Sequence, residues 1–335
     1  MVIYGIDVSK NSLEIFSKTE NRDVIKKKVS NKLVPIERFL SKLEKGAILC
    51  LEDSGIYCQL ISHLAFQFGV QVALVDPYTL KHSIGSPKGK SDDIDAERIH
   101  EYAERFHDKL IYYEGETSFF REIKQLYNLR NLLNKHKKAL LSVNTNDSKL
   151  VSCSVFGHKK LKASIAHLNR QILDIEKELI GLINKSELKR KMEIITSING
   201  IGPITALELI LTTGNFKKLN SAKKAAAYAG VCPYPNQSGA KQYKSKIHPR
   251  TDRRLKSLLY LCGLNACRHN KDYRQYRDRK LSEGKHFYLV MNNVSNKLIR
   301  TVYALIGKEQ TYDFSYVQLD SRWENSEDLN SSKKI

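Results

Sequence analysis

Residues 2–31 hold three strand-like runs in immediate succession, VIYGIDVS, LEIFSKTE and VIKKKVSN, separated only by the polar turns Lys10–Asn11 and Glu20–Asn21–Arg22. Breaks this short fold consecutive strands back on one another, so the spacing predicts an antiparallel meander. A helical pattern follows in PIERFLSKLEKG, closed by Gly46, then the apolar strand AILCLE, a helix around QLISHLAFQFG and the strand QVALVDP.

A meander followed by alternating helices and strands is the element order of a ribonuclease-H-like domain, set here at 1–112. Residues 117–195 change character: Leu161, Ile165, Leu168, Ile172, Ile175, Leu179 and Leu182 recur at alternating intervals of four and three, the a/d seam of a coiled coil. The preceding stripe, Phe119, Ile123, Leu126, Leu133 and Leu140, is rougher and interrupted by Arg130 and Lys137. An antiparallel hairpin within one chain, turning at NTNDSK, and a dimerising coiled coil fit the seam equally well. The helical coiled-coil region is set at 113–193 and a mainly helical second domain at 194–308. The polar, aperiodic tail at 309–335 is expected to be disordered. The fold class is thus α/β plus α.

Lys and Arg number 56 against 36 Asp and Glu, a formal charge of +20. Between residues 208 and 285 there are 18 Lys and Arg against five Asp and Glu, a local net of +13. A polyanionic partner is the simplest explanation. No apolar run approaches the roughly 20 residues of a spanning helix, and MVIYGIDVSK lacks the charged leader of an export signal. A cytoplasmic protein is expected, nucleoid-associated when bound to DNA, with no membrane partner. The six cysteines (Cys50, Cys58, Cys153, Cys232, Cys262, Cys267) form no CxxC pair and no zinc spacing, and read as reduced, buried, small apolar residues.

Asp7 shares a strand face with Ile3 and Gly5, and Glu52 shares one with Ile48 and Cys50. Each ends an apolar run, where an uncompensated carboxylate costs several kcal/mol. In SDDIDAERIHEYAERF, Ser91 is a natural N-cap, and Asp92 and Asp95 head a helical stripe continuing through Ile99, Tyr102 and Phe106. Two strand carboxylates and an i, i+3 helix pair form an oxygen cage suited to Mg²⁺, with Mn²⁺ as a substitute. Two such ions would activate the attacking oxygen and stabilise the leaving one in phosphodiester chemistry.

YGIDVSK, LEDSGIY and KSDDIDAERI resemble the three signature blocks of the DEDD insertion-sequence transposases, the "one-ten" family that includes the Piv DNA invertases. The resemblance implies a first domain like that of the RuvC Holliday-junction resolvase. It also implies metal-binding, catalytic roles for Asp7, Glu52, Asp92 and Asp95. In the second half, SINGIGPITALELIL carries Gly200–Ile201–Gly202, a helix-hairpin-helix signature whose Gly200 and Gly202 expose backbone N–H groups to phosphate. The stretch from Leu219 to Leu261 moves from a small-residue helix through a polar loop into a basic helix. It resembles the family's C-terminal transposase block, which places Ser238 at the serine nucleophile and implies a covalent phosphoserine. The family commonly has Gly-Asn where this chain has Thr251–Asp252, which puts that local turn in question.

Lys241, Lys244, Arg250, Arg253, Arg254 and Lys256 are candidate nucleic-acid contacts. KDYRQYRDRK adds Arg274 and Arg277, interleaved with Tyr273 and Tyr276 as either a stacking surface or a solvated helix face. The resemblance further implies donor and target DNA as partners, a guide or bridge RNA, and a dimer or tetramer, leaving open whether the serine and the carboxylates of one site come from the same protomer. Three alternatives stand beside it: a junction-resolving nuclease using water, a tyrosine recombinase using Tyr234 or Tyr243, and a non-catalytic nucleic-acid scaffold.

Overall fold

The computed structural model describes residues 2–18, 23–85, 92–147, 154–232, 234–238, 241–246 and 251–313, with the side chains of 92–93, 144–147, 234–238 and 241–246 not included. The chain divides into two compact units, Met1–Glu122 and Ile123–Ile335.

In the first unit the meander forms as expected: β1 (Ile3–Val8), β2 (Ser12–Lys18) and β3 (Val24–Ser30) pair antiparallel. The helix α1 (Leu33–Leu40) is shorter than its pattern. Past Leu40 the backbone tightens, Lys42 and Leu43 donating to carbonyls three residues back, and the chain turns at Gly46 with φ +85°. Then come β4 (Ile48–Glu52), α2 (Gln59–Gln67), β5 (Gln71–Val75), α3 (Pro77–Ser83) and α4 (Asp92–Arg105). The sheet order is β3-β2-β1-β4-β5, with β4 parallel to β1 and β5 parallel to β4.

Strand alternation divides the core into two layers. Ile6, Leu13, Leu49 and Leu51 pack with Ile36 of α1 and Ile61 of α2 on one face. Ile3, Ile48, Cys50 and Ala73 pack with Ile99, Tyr102 and Ala103 of α4 on the other. Helix α4 crosses β1 at Gly5, where an added Cβ would press on the backbone of Ala96 and His100, lying 2.7 Å from His100 Cα. Backbone cannot rotate away. Gly5→Ala is therefore expected to destabilise the protein by about 3 kcal/mol or more, read as a lowered urea midpoint at unchanged slope.

His100 is buried on α4, its Nδ1–H donating to Ile3 O at 3.1 Å and its ring 5.3 Å from that of Phe16. Burial holds its pKa below the usual histidine value; Lys18 lowers it further, while Glu104, Glu97 and the bond to Ile3 raise it. The unfolded chain thus binds the proton more readily, so stability present at neutral pH is lost as pH falls through the histidine range. The thermal midpoint is expected to drop from about pH 7 to about pH 5, and His100→Gln should flatten that drop.

The second unit is helical. Helices α5 (Ser118–Asp147, which begins in the first unit) and α6 (Val155–Asn184) form the antiparallel hairpin. Arg130, which interrupts the sequence stripe, faces across it: its Nε and Nη2 lie 2.6 and 2.5 Å from Glu176 Oε1. His136 and Leu140 of α5 line one groove with His167 and Leu168 of α6. Beyond come α7 (Leu188–Thr196), α8 (Pro203–Thr212), α9 (Ala222–Tyr228), β6 (Tyr234–Ser238), β7 (Lys241–Lys246), α10 (Arg253–His269), α11 (Lys271–Ser282) and α12 (Phe287–Lys308). Val290, Met291, Val294, Leu298 and Val302 make α12 the spine of this core, packed against α7, α9, α10 and α11.

Cys50, Cys58, Cys262 and Cys267 are free and buried, and burial pushes the Cys50 thiol up to about 12. Cys153 and the tail beyond 313 lie outside the described residues. Among the described residues no helix is long and apolar enough to cross a membrane.

Candidate active site

Parallel pairing of β1 with β4 sets Ile6 opposite Leu51, so the next residues, Asp7 and Glu52, leave the two strands side by side. Period-2 alternation sends both toward the face covered by α4. Asp95 enters from the first turns of α4, ahead of the buried Ile99 and Tyr102. Asp92 opens the same helix; its side chain, like Ser91 as a whole, lies outside the described residues.

The electrostatics join these groups. Burial, then the charges of Asp7 and Asp95, then Asp76, hold the Glu52 carboxyl above its usual pKa, against a lowering by Arg98. Negative charge here exceeds what the local cation offsets, a field that fits a divalent ion and its water ligands. Among the described residues no three Asp, Glu, His or Cys side chains close around a single point.

Three participants were not picked out from the sequence. Arg98 Nη1 stands 3.9 Å from Asp95, and its Nη2 donates to Gly85 O at 2.6 Å, tying the acidic helix to the chain that precedes it. Its i+3 spacing from Asp95 was the available signal. Asp76 follows β5 and caps α3, accepting from the N–H groups of Tyr78 and Thr79 at 3.1 and 3.3 Å and from the Thr79 hydroxyl. The Asp-Pro pair was its signal, an N-cap followed by proline at N1. Glu14 lies opposite Asp7 in the β1–β2 ladder and is buried, with Lys28 Nζ 2.5 Å away on β3.

In the second unit, β6 and β7 replace the expected polar loop. Ser238 pairs with Lys241 at the end of the ladder, and a bulge lies between Tyr234 and Asn236. The side chains of Ser238, Lys241 and Lys244, and all of Arg250, lie outside the described residues. Thr251–Asp252 forms a sound turn: Asp252 accepts from the N–H groups of Arg254 and Leu255 at 2.9 Å and caps α10 as an asparagine would.

Gly200 has φ +103°, and a Cβ there would lie 2.6 Å from Cys262 O and 2.7 Å from Ala266 N. It seats the α7–α8 turn on α10, while the exposed Gly202 begins α8. Arg253 is exposed and Lys256 partly so. Arg254, its side chain 40% exposed, also reaches inward: its guanidinium lies 5.0 Å from the Tyr127 ring centre, donates to Tyr127 Oη at 2.9 Å and stands 3.3 Å from the buried Glu208. Tyr127 in turn donates to Glu208. Arg274 donates to the carbonyls of Cys267 and Arg268 at the end of α10, and Arg277 pairs with Asp278 at 2.7 Å. Tyr273 is buried, so the interleaved tyrosines form no continuous stacking surface, although Tyr276 lies beneath Arg279 and Lys297.

Comparison with known proteins gives two family matches, to a DEDD transposase of the IS110 type over residues 4–142 and to the transposase IS116/IS110/IS902 family over residues 192–278. A pilin gene-inverting protein of Moraxella bovis is 26% identical over 79% of this chain and 81% of its own. A transposase for insertion sequence element IS1328 of Yersinia enterocolitica is 24% identical over 91% and 96%. One for IS1111A of Coxiella burnetii is 22% identical over 92% and 91%. The first match spans Asp7, Glu52, Asp92 and Asp95 and the second spans Ser238. The chain belongs to the IS110-type DEDD transposases.

Proposed function

We propose that this transposase cuts and rejoins DNA with two kinds of group: a Mg²⁺-binding carboxylate set, Asp7, Glu52, Asp92 and Asp95, and a serine nucleophile, Ser238. The observation that carries the reading is Glu52, whose carboxyl is burdened by the charges of Asp7 and Asp95 at the adjoining ends of β1 and β4. The strand order β3-β2-β1-β4-β5, antiparallel then parallel, supports a ribonuclease-H-like, RuvC-like first domain. Bound divalent metal would supply charge neutralisation at the scissile phosphate and a lowered pKa for the attacking oxygen.

The chain's own residues then divide the work. Asp7, Glu52, Asp92 and Asp95 would hold the cation at the face of α4. The Ser238 oxygen attacks phosphorus, its proton passing to a nearby base. The bond to the 3′ oxygen breaks, and that oxygen leaves protonated. The strand is left joined through its 5′ phosphate to serine, and reversal onto a new 3′ hydroxyl reseals it without a cofactor. The basic stretch 208–285 is assigned to the DNA backbone and to a guide RNA, and the α5–α6 hairpin to assembly of a dimer or tetramer.

Strand exchange on a plasmid carrying paired recombination sites tests the reading. Wild type should yield joined product and protein linked to a DNA 5′ end, and both signals should vanish in Glu52→Gln and in Ser238→Ala. Joining that survives in Ser238→Ala would leave a nuclease that uses water.

A further inference from the structure

The start of α12 and the middle of α10 display aromatic rings that no core requires. The rings of His286 and Tyr288 lie 5.5 Å apart at 25°, and those of Tyr288 and Tyr260 lie 6.0 Å apart at 27°, an almost parallel series of three. Phe287 braces Tyr288 edge-on at 6.0 Å and 73°. Tyr288 is nonetheless 66% exposed, and its neighbours Phe287 and Leu289 are exposed as well.

The series is fixed in direction. The Tyr288 N–H donates to His286 Nδ1 at 3.3 Å, the cap of α12, so the imidazole is held by the helix it begins. Cations flank it: Lys256 precedes Tyr260 by one turn of α10, Arg253 by two, and Lys285 adjoins His286. Tyr260 sits within the 208–285 stretch that carries a net +13, and His286 and Tyr288 directly follow its end. An exposed apolar face that binds a protein usually depletes lysine at its centre, whereas flat rings among cations suit bases whose phosphates run alongside.

We propose that His286, Tyr288 and Tyr260 form a stacking platform for unpaired bases of the DNA strand released during exchange. Cutting and rejoining requires strands to leave the duplex, and the freed bases need a surface that accepts any sequence. The proposal rests on the DNA-recombining reading for the identity of the polyanion and is independent of Ser238 and the carboxylates.

The test is fluorescence anisotropy of the full chain with labelled oligothymidylate, a blunt duplex and oligouridylate, comparing wild type, Tyr288→Ala and Tyr288→Phe. Tyr288→Ala should weaken oligothymidylate binding about tenfold with an unchanged salt slope, since the ring carries no charge. Tyr288→Phe should keep wild-type affinity, and duplex binding should stay constant in both. Unchanged oligothymidylate affinity in Tyr288→Ala, an equal loss on duplex, or tighter wild-type binding to oligouridylate than to oligothymidylate would overturn the proposal. So would a change in oligomeric state of Tyr288→Ala by sedimentation, which would assign the rings to a second copy of the chain. Because binding is read without catalysis, Asp7→Asn should retain the platform even if strand exchange is abolished, which separates failure of this proposal from failure of the active-site reading.

Discussion

Glu52→Gln is expected to abolish strand exchange, by on the order of a thousandfold or more, while leaving DNA affinity near wild type and making the metal-free protein more stable. The amide is nearly isosteric and still ends β4 beside Asp7, so the fold has no reason to change. What changes is charge. The Glu52 carboxylate is held against burial and the repulsion of Asp7 and Asp95, with Arg98 opposing only part of that field. A carboxyl whose pKa is raised in the folded state costs stability once ionised, so removing the charge should raise the melting temperature without metal. Adding Mg²⁺ should then stabilise wild type and barely affect the variant, since a ligand stabilises only in proportion to its affinity for the folded state. A metal-free Glu52→Gln protein that melts below wild type, or one that keeps exchange activity, would remove Glu52 from the metal site.

The acidic site was legible in the sequence to the extent that it is carried by short-range periodicity. Period 2 put Asp7 on one strand face with Ile3 and Gly5 and Glu52 on another with Ile48 and Cys50, and the helical stripe ending in Phe106 put Asp92 and Asp95 at its head. These patterns are local, whereas the β1–β4 register is what makes the two strand faces one. Glu14 escaped because its place opposite Asp7 depends on the register of β1 with β2, which a sequence leaves open until the turn is known. The hairpin bearing Ser238 escaped for a different reason: YPNQS and KQYKSK lack the apolar alternation that marks a half-buried strand.

Arg254 and Tyr273 show the limit of composition. Both sit in basic runs that read as nucleic-acid surface; Arg254 keeps its side chain 40% exposed while also engaging Tyr127 and Glu208, whereas Tyr273 is buried with its hydroxyl 3.3 Å from Thr301 Oγ1. Tyr127 stands 127 positions from Arg254 in the chain. No window of local pattern spans that distance. The exposed rings at 286–288, by contrast, lie in a stretch with no charge run to draw attention. Exposure becomes visible only once the face of α12 that packs on α10 is known.

Ser238→Ala is expected to eliminate the covalent protein–DNA species and reduce strand exchange by on the order of ten-thousandfold, with metal-dependent stabilisation retained. The last clause separates this variant from Glu52→Gln: alanine removes the Ser238 hydroxyl at the end of β6 and leaves all four carboxylates in the chain. Alanine is also compatible with the strand backbone there, so binding and thermal stability should stay close to wild type. Residual chemistry is informative in its form. With the carboxylates intact, water can still reach the phosphate, so slow hydrolysis should remain as nicking, whereas rejoining cannot, because hydrolysis discards the phosphoester bond that serine would have kept. A cysteine at position 238 should restore some covalent capture through a thiophosphate link and little resealing. If Ser238→Ala instead rejoins strands at the wild-type rate, the nucleophile lies elsewhere, and Tyr234 and Tyr243 on the same hairpin become the residues to replace next.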